Sequence, residues 1–139
     1  MKTFSLDIVT PERLALTQEV ELVSVPSTDG EITILPHHVP IFASLTEGEV
    51  RLHYENEDYY LSIGGGFIEV TPTKTTVLVT RAYKAEELNE KAILNAKQEA
   101  EEAIKKGVTP EDIQAAYALL RSSLVDLKVL RRRKFRTSV

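Results

Sequence analysis

The first half of the chain alternates apolar and polar side chains with a period of two residues, from residue 3 to about residue 81. Alternation of this kind predicts strands that bury one face. The short apolar runs are separated by segments rich in proline, glycine and Asx residues, such as 26–30 and 71–73. Closely spaced short strands with such punctuation are typical of a sandwich or barrel. We therefore predict an antiparallel β-sandwich domain over residues 1–84.

From residue 86 onward the apolar period lengthens to three or four residues. Small and apolar side chains recur at Leu88, Ala92, Ala96, Ala100 and Ala103 or Ile104. This spacing predicts one face of a helix, and Gly107 is a plausible C-terminal stop.

A second helix is predicted to begin at Thr109-Pro110, because threonine caps helix N-termini and proline is tolerated at the first helical position. It carries a heptad-like apolar seam suited to packing on another helix, formed by Ile113, Tyr117, Leu120, Leu124 and Leu127. The short loop between the helices predicts an antiparallel hairpin over residues 85–139. Two short helices bury little alone, so the hairpin needs its own sandwich or a partner to lean on, and is a candidate moving part.

The composition excludes several classes of function. The 139 residues include no cysteine, which excludes disulfides, thiolate metal sites and cysteine nucleophiles. No apolar run approaches the roughly 18 residues of a membrane-spanning helix, and no signal peptide is evident. We expect a soluble protein without direct membrane insertion.

The net charge of −4 is unevenly distributed. Residues 110–139 carry +4, so the remainder carries −8. A basic end on an acidic body predicts an acidic partner for that end. The cationic run 131–136 could also bind nucleic acid or an anionic membrane, or be a solvated terminus. The acidic body argues against a nucleic-acid partner.

Candidate chemistry is sparse. The run Gly64-Gly65-Gly66 precedes a strand-like segment rather than a helix, so a close backbone approach or bulge is favoured over a phosphate loop. His37 and His38 are adjacent on an extended segment and would point to opposite sides, so we expect no metal site and interpret the segment as a contact loop. No nucleophile or base motif is present. We predict no catalytic residues, no cofactor and no enzymatic activity of the chain's own.

Several segments together resemble one family. Residues 29–40 read Asp-Gly-Glu-Ile-Thr-Ile-Leu-Pro-His-His-Val-Pro, and residues 62–70 read Ser-Ile-Gly-Gly-Gly-Phe-Ile-Glu-Val. With residues 6–12, 45–51 and 76–79, these are similar to the signature segments of the epsilon subunit family of bacterial F-type ATP synthases. The resemblance covers nearly the whole chain in the family's order, a sandwich and then a helical hairpin.

The resemblance implies a non-catalytic subunit of the central stalk that couples proton-driven rotation to ATP synthesis. Its sandwich would contact the gamma subunit and the membrane ring of c subunits, with Glu31 and His38 in the contact region. It would lie peripherally at the cytoplasmic face of the bacterial plasma membrane.

The resemblance also implies a regulatory arm over residues 85–139, which folds against the sandwich or extends towards the catalytic head and inhibits ATP hydrolysis. Acidic segments of the catalytic alpha and beta subunits would meet the arm's cations, which are Arg121, Lys128, Arg131, Arg132 and Arg133.

Two positions depart from the family pattern. His37 stands where the family usually has glycine, which we interpret as tolerated variation. The family's ATP-binding motif falls on residues 88–93, where Asn89 replaces aspartate, Ala92 replaces arginine and Ile93 replaces alanine. Losing the arginine removes the obvious partner for phosphate, although Lys91 could compensate. Nucleotide sensing, in which ATP holds the hairpin closed, therefore remains the alternative function.

Overall fold

The computed structural model describes residues 2–107 and 109–137, with side chains as far as Arg132. Within these residues the strands are β1 (Phe4–Val9), β2 (Leu14–Val20), β3 (Leu22–Ser27), β4 (Gly30–Ile34), β5 (Ile41–Leu45), β6 (Gly48–Tyr54), β7 (Glu57–Ile63), β8 (Gly66–Val70), β9 (Lys74–Val79) and β10 (Ala82–Lys84). A 3-10 turn (Ala85–Glu87) leads to helices α1 (Glu90–Lys106) and α2 (Pro110–Thr137).

The strands hydrogen-bond in the order β10-β7-β6-β3-β5-β8-β9-β1-β2, and β4 pairs with β3. The ladder folds over so that β2 contacts β6, which gives two packed layers. The pairs are antiparallel except for β1 with β9, which are parallel. The predicted architecture, a β-sandwich followed by a helical hairpin, is confirmed.

The core between the layers consists of the inward members of the alternating pattern. Fully buried side chains include Leu6, Ile8, Val25, Leu52, Leu61 and Val77, and each stabilises the fold by roughly 1.5–3 kcal/mol relative to exposure. The alternation breaks at β3, where Val23, Ser24 and Val25 are all buried. The Ser24 hydroxyl is satisfied there by Thr33 Oγ1 of β4 at 2.8 Å.

Two predicted helix boundaries are confirmed, the end of α1 at Gly107 and the start of α2 at Thr109-Pro110. Leu88, predicted on the face of the first helix, precedes α1. Asn89 caps α1, with its Oδ1 accepting a hydrogen bond from the Ala92 N–H at 3.0 Å, and Gly107 ends the helix in the left-handed conformation at φ 51°. Thr109 caps α2 by accepting from the Asp112 N–H at 3.1 Å. Among the described residues, neither helix combines the length and apolar character that crossing a bilayer requires.

The predicted buried faces of the helices are partly wrong. Ala92 is exposed and Ile93 is buried instead. On α2, Tyr117 and Leu124 are 46% and 47% exposed, while Ala116, Ser123, Leu127 and Leu130 are buried. Small side chains at positions 116 and 123 let α2 approach its neighbours closely, and the Ser123 hydroxyl is satisfied by the Leu119 carbonyl at 2.8 Å. The buried stripe therefore keeps a heptad-like spacing and includes Leu127 as predicted, but at positions 116 and 123 it is one residue out of step with Tyr117 and Leu124.

The glycine run marks a close backbone approach, as predicted. A Cβ on Gly66 would lie 1.9 Å from the Leu78 carbonyl oxygen of the neighbouring strand, whereas a Cβ on Gly65 would lie 3.4 Å from its nearest neighbour, the Leu45 carbonyl oxygen. Adjacent strands can take this spacing only because residue 66 has no side chain.

The substitution Gly66→Ala should lower the free energy of unfolding by about 2–4 kcal/mol, because backbone atoms must move to relieve the clash. Gly65→Ala is the matched control and should cost less than about 1 kcal/mol. Urea denaturation of the two variants measures the difference, and equal losses would contradict the close-approach interpretation.

Candidate functional site

The helical arm, which we define as α1 and α2, lies folded against the sandwich. Helix α2 contacts β6, β7 and the 3-10 turn. A small apolar cluster seals this contact, with Ile93, Leu127 and Leu130 buried and Leu88 packed beside them. Because this cluster is small, it stabilises the docked arm only modestly by apolar burial. The position in which the arm docks must therefore be specified by polar contacts.

One docking contact is centred on Asp126 of α2. Arg81, which follows β9, places its Nη1 3.0 Å from Asp126 Oδ1 and its Nη2 3.4 Å from the Ser122 carbonyl oxygen. The fully buried Ser62 of β7 donates a short hydrogen bond to the same carboxylate. The two charged side chains are only 21% and 16% exposed, so water screens their attraction weakly. Arg81 Nη2 also lies 3.7 Å from Glu47 Oε2.

A second docking contact joins Arg132 to Glu49 of β6. The guanidinium donates from Nε and Nη2 to the two carboxylate oxygens, each at 3.2 Å, and its carbon lies 5.0 Å from the centre of the Tyr60 ring. The hydrogen bond to Glu49 raises the pKa of Arg132 above its ordinary value. Arg132, predicted to meet an external acidic partner, is thus paired within the chain in this conformation.

Three of the other four predicted cations are exposed side chains of α2. Arg121, Lys128 and Arg131 are exposed. Lys128 and Arg131 line a groove of about 700 Å³ beside Tyr60 and Asn56, which Arg132 also borders. Arg121 lies farther along the helix, and the side chain of Arg133 falls outside the described part of the chain.

Two apolar side chains join these cations on the same surface. Tyr117, Arg121, Leu124, Lys128 and Arg131 follow one another at spacings of 4, 3, 4 and 3 residues and are all exposed; we call this surface the outer face of α2. The heptad-like spacing predicted that Tyr117 and Leu124 pack along another helix, but both side chains are exposed in this conformation. The part of this face that carries Lys128 and Arg131 borders the sandwich across the groove. Hydrophobicity alone gave no indication that Tyr117 and Leu124 are exposed.

Glu31 and His38 are not brought together. Glu31 is exposed near the start of β4, and His38 is half-buried in the loop beyond its end. The His38 ring Nδ1 lies 2.7 Å from the Val39 carbonyl oxygen. Among the described residues, no group of three or more histidine, aspartate or glutamate side chains is placed to share a metal ion.

The backbone conformation of this loop accounts for the glycine that the family usually has at position 37. His37 has a φ of 65°, in the left-handed region that glycine adopts freely and histidine tolerates at some cost. The loop keeps the turn without the glycine, so the interpretation of tolerated variation has a backbone basis.

An exposed apolar patch lies on the sandwich surface beyond this loop. Val39 and Phe42 are 71% and 66% exposed, and the Phe42 ring stacks on Phe67 with a centroid distance of 5.3 Å. Stacked exposed aromatic rings are typical of protein-contact surfaces. Their alternation was visible in the sequence, but their exposure was not.

Two of the residues aligned with the ATP-binding motif, Asn89 and Ile93, stabilise the fold of the arm. The Asn89 side chain caps α1, Ala92 is exposed, and Ile93 is buried in the docking cluster. Lys91 is exposed at the first turn. The nucleotide-sensing alternative stays a hypothesis.

An ion pair anchors the 3-10 turn that leads into the arm. Arg13 Nη1 lies 2.9 Å from Glu87 Oε2, and Arg13 also donates to the Ala82 carbonyl oxygen at 2.7 Å. Partial burial, the largest single effect, raises the pKa of Glu87, but hydrogen bonds from Arg13 and the Lys84 N–H outweigh it. The net result is a pKa below the ordinary value.

The Glu87 anchor should give a defined pH dependence. Because the folded-state pKa lies below the ordinary value of 4.5, the carboxylate contributes stability at higher pH that is lost as pH falls through the folded-state pKa. The stability advantage of the parent chain over Glu87→Gln should be constant near neutrality and shrink below about pH 4.5. Urea denaturation across this range measures it, with the exposed neighbour variant Glu86→Gln as reference. An advantage independent of pH would contradict the assignment.

Comparison with known proteins agrees with this architecture. The family model described as "ATP synthase, Delta/Epsilon chain, beta-sandwich domain" matches residues 3–85. The ATP synthase epsilon chain of Dehalococcoides mccartyi is 38% identical over 135 residues, covering 96% of each chain. That of Herpetosiphon aurantiacus is 39% identical, covering 94% of this chain and 96% of its own.

Solved structures share the fold at lower identity. A chain in the Euglena gracilis mitochondrial ATP synthase, in an assembly of OSCP, F1 and c-ring, superposes with a TM-score of 0.64 at 18% identity, covering 97% of this chain and 81% of that one. A chain of the Tetrahymena thermophila mitochondrial ATP synthase central stalk and c-ring gives 0.59 at 13% identity, covering 93% and 97%. With the sandwich, the helical hairpin and relatives of this identity over nearly the full length, the chain belongs to the ATP synthase epsilon chain family.

Proposed function

We propose that this chain is a non-catalytic rotor subunit of the central stalk that couples proton-driven rotation to ATP synthesis, and that its arm inhibits ATP hydrolysis after leaving the sandwich. The observation that carries the regulatory part is the two-sided character of α2. Its inner side is held by a small apolar cluster and two ion pairs, and its outer face carries exposed cations and apolar side chains. A helix whose described contacts with the sandwich are largely polar can populate a second position if a partner binds that position better.

The sandwich would be the rotor-binding domain, residues 1–84. The stacked pair Phe42 and Phe67 offers apolar area beside the His38 loop, and exposed Glu31 offers a charge near the opposite end of β4. An apolar patch with a polar rim suits a stable protein interface, which supports the gamma subunit and the c ring as partners. The subunit would then lie peripherally at the cytoplasmic face of the plasma membrane.

The arm, residues 85–139, would meet acidic segments of the catalytic alpha and beta subunits. Arg121, Lys128 and Arg131 provide charge, while Tyr117 and Leu124 provide apolar contacts along one stripe. Such a mixed stripe fits an acidic amphipathic helix, because charge steers the encounter and apolar burial slows dissociation.

Truncation tests the inhibitory role. ATP hydrolysis by the cognate catalytic head should be suppressed by the full-length chain and not by a version ending at Val108, because the second helix carries the proposed inhibitory surface. Binding to the gamma subunit should be the same for both. If neither version suppresses hydrolysis while both bind gamma, the chain is a structural adaptor and the regulatory proposal is wrong.

Charge reversal on the outer face tests the acidic partner. Lys128→Glu combined with Arg131→Glu should weaken inhibition by about tenfold or more, because each cation would become a repulsive group. Arg132 is left unchanged, since its reversal would also disturb the contact with Glu49. Lys105→Glu, an exposed reversal on α1, is the control and should leave inhibition unchanged. Unaltered inhibition by the double variant would contradict the electrostatic contact.

A further inference from the structure

The two ion pairs that hold the arm have opposite polarity. The sandwich supplies the cation Arg81 to Asp126 of the arm, and it supplies the anion Glu49 to Arg132 of the arm. The two arm residues lie six positions apart, roughly 9 Å along a helix axis. Sliding α2 along the sandwich by a turn would separate both pairs, so their crossed polarity fixes the register of docking.

Glu49 is largely buried in the interface between the sandwich and the arm. Its side chain is only 11% exposed, whereas Arg132 is 47% exposed. A carboxylate that is largely withdrawn from water needs a cation close by, and the two-point geometry with Arg132 is the strongest form of that pairing. The Tyr60 ring supports the other side of the guanidinium at 5.0 Å.

We propose that Glu49 is an internal competitor for the arm: it occupies Arg132 in the docked state as an acidic segment of a partner would in the extended state. The latch made by Glu49 and Arg132 sets how often the arm leaves the sandwich. Arg132 is therefore paired with Glu49 as long as the arm is docked. The outer face of α2, which is exposed in the docked state, makes the initial contact with a partner. The role of this latch in inhibition rests on the proposed function, but its effect on docking does not.

Thiol labelling of the isolated full-length chain measures arm release directly. The chain has no cysteine, and Ser62 is fully buried beneath Asp126. A Ser62→Cys probe, used as a common background, becomes accessible when α2 lifts, so its labelling rate reports the open fraction even when that fraction is small. The background lacks the serine hydroxyl in every variant alike, so the comparison isolates residues 49 and 132.

Charge swapping then tests the latch. Glu49→Arg and Arg132→Glu should each accelerate labelling by about tenfold, because like charges would face each other. The double variant with both changes restores an opposite-charge pair and should return the rate to within about threefold of the background. Arg121→Glu, on the outer face of α2, should leave the rate unchanged. Unaccelerated single variants, or a double variant as fast as either single one, would overturn the proposal.

A second cysteine probe distinguishes global unfolding from release of the arm. Val77→Cys lies in the sandwich core, and faster labelling there would reveal a variant that has lost its fold. In that case the isosteric variant Glu49→Gln replaces Glu49→Arg and should still accelerate labelling at position 62. If it does not, the latch is wrong.

Measuring ATP hydrolysis by the cognate catalytic head distinguishes a failure of the latch hypothesis from a failure of the proposed function. A double variant that restores slow labelling and yet fails to inhibit ATP hydrolysis would support the latch. That result would also show that Arg132 itself is part of the inhibitory surface. Failure of every chain, including the parent, to inhibit would remove the proposed function and leave the labelling result intact.

Discussion

The contact that Asp126 makes with Ser62 and Arg81 joins the two halves of this molecule. Among the described residues, the buried apolar side chains of the arm are few and two of them are alanines, Ala100 and Ala116, so the position of the arm depends on what the sandwich offers it. The sandwich offers a buried hydroxyl, a half-buried guanidinium and, farther along α2, the Glu49 carboxylate. The apolar cluster of Ile93, Leu127 and Leu130 is held in register by these polar partners. Strong apolar docking would make the arm a permanent part of the core, whereas directional ion pairs allow a defined docked state that can be released.

Helix α2 divides its side chains between two tasks. Its inner stripe uses small residues, Ala116 and Ser123, that permit close packing. Its outer face exposes Tyr117 and Leu124 among cations. The inner stripe defines the docked state, and the outer face is the surface that we propose for a second partner. Arg132 lies at the boundary, paired to Glu49 and bordering the groove that Lys128 and Arg131 line.

Much of the fold could be predicted because its signals are local. Alternation predicted the strands, and Gly107 and Thr109 predicted one end of each helix. The Asn89 cap was not predicted, although its signal is equally local. The direction in which each helix faces could not be predicted, because hydrophobicity ranks Tyr117 and Leu124 above Ala116 and Ser123. The ion pairs of Arg81 with Asp126 and of Glu49 with Arg132 join residues 45 and 83 positions apart. A charge in a sequence gives no indication of so distant a partner, so the cations of the arm could be identified as a group but not sorted into docked and free members.

Locking the arm is the most direct test of the account. The chain has no cysteine, and the side chains of Ser62 and Asp126 touch, so Ser62→Cys with Asp126→Cys can place one disulfide across the docking interface. ATP hydrolysis by the assembled enzyme would be measured before and after reduction of that bond. The account predicts no inhibition while the disulfide holds the arm down, and inhibition once it is reduced. Equal inhibition in the two states would contradict it, because the arm would then act without leaving the sandwich.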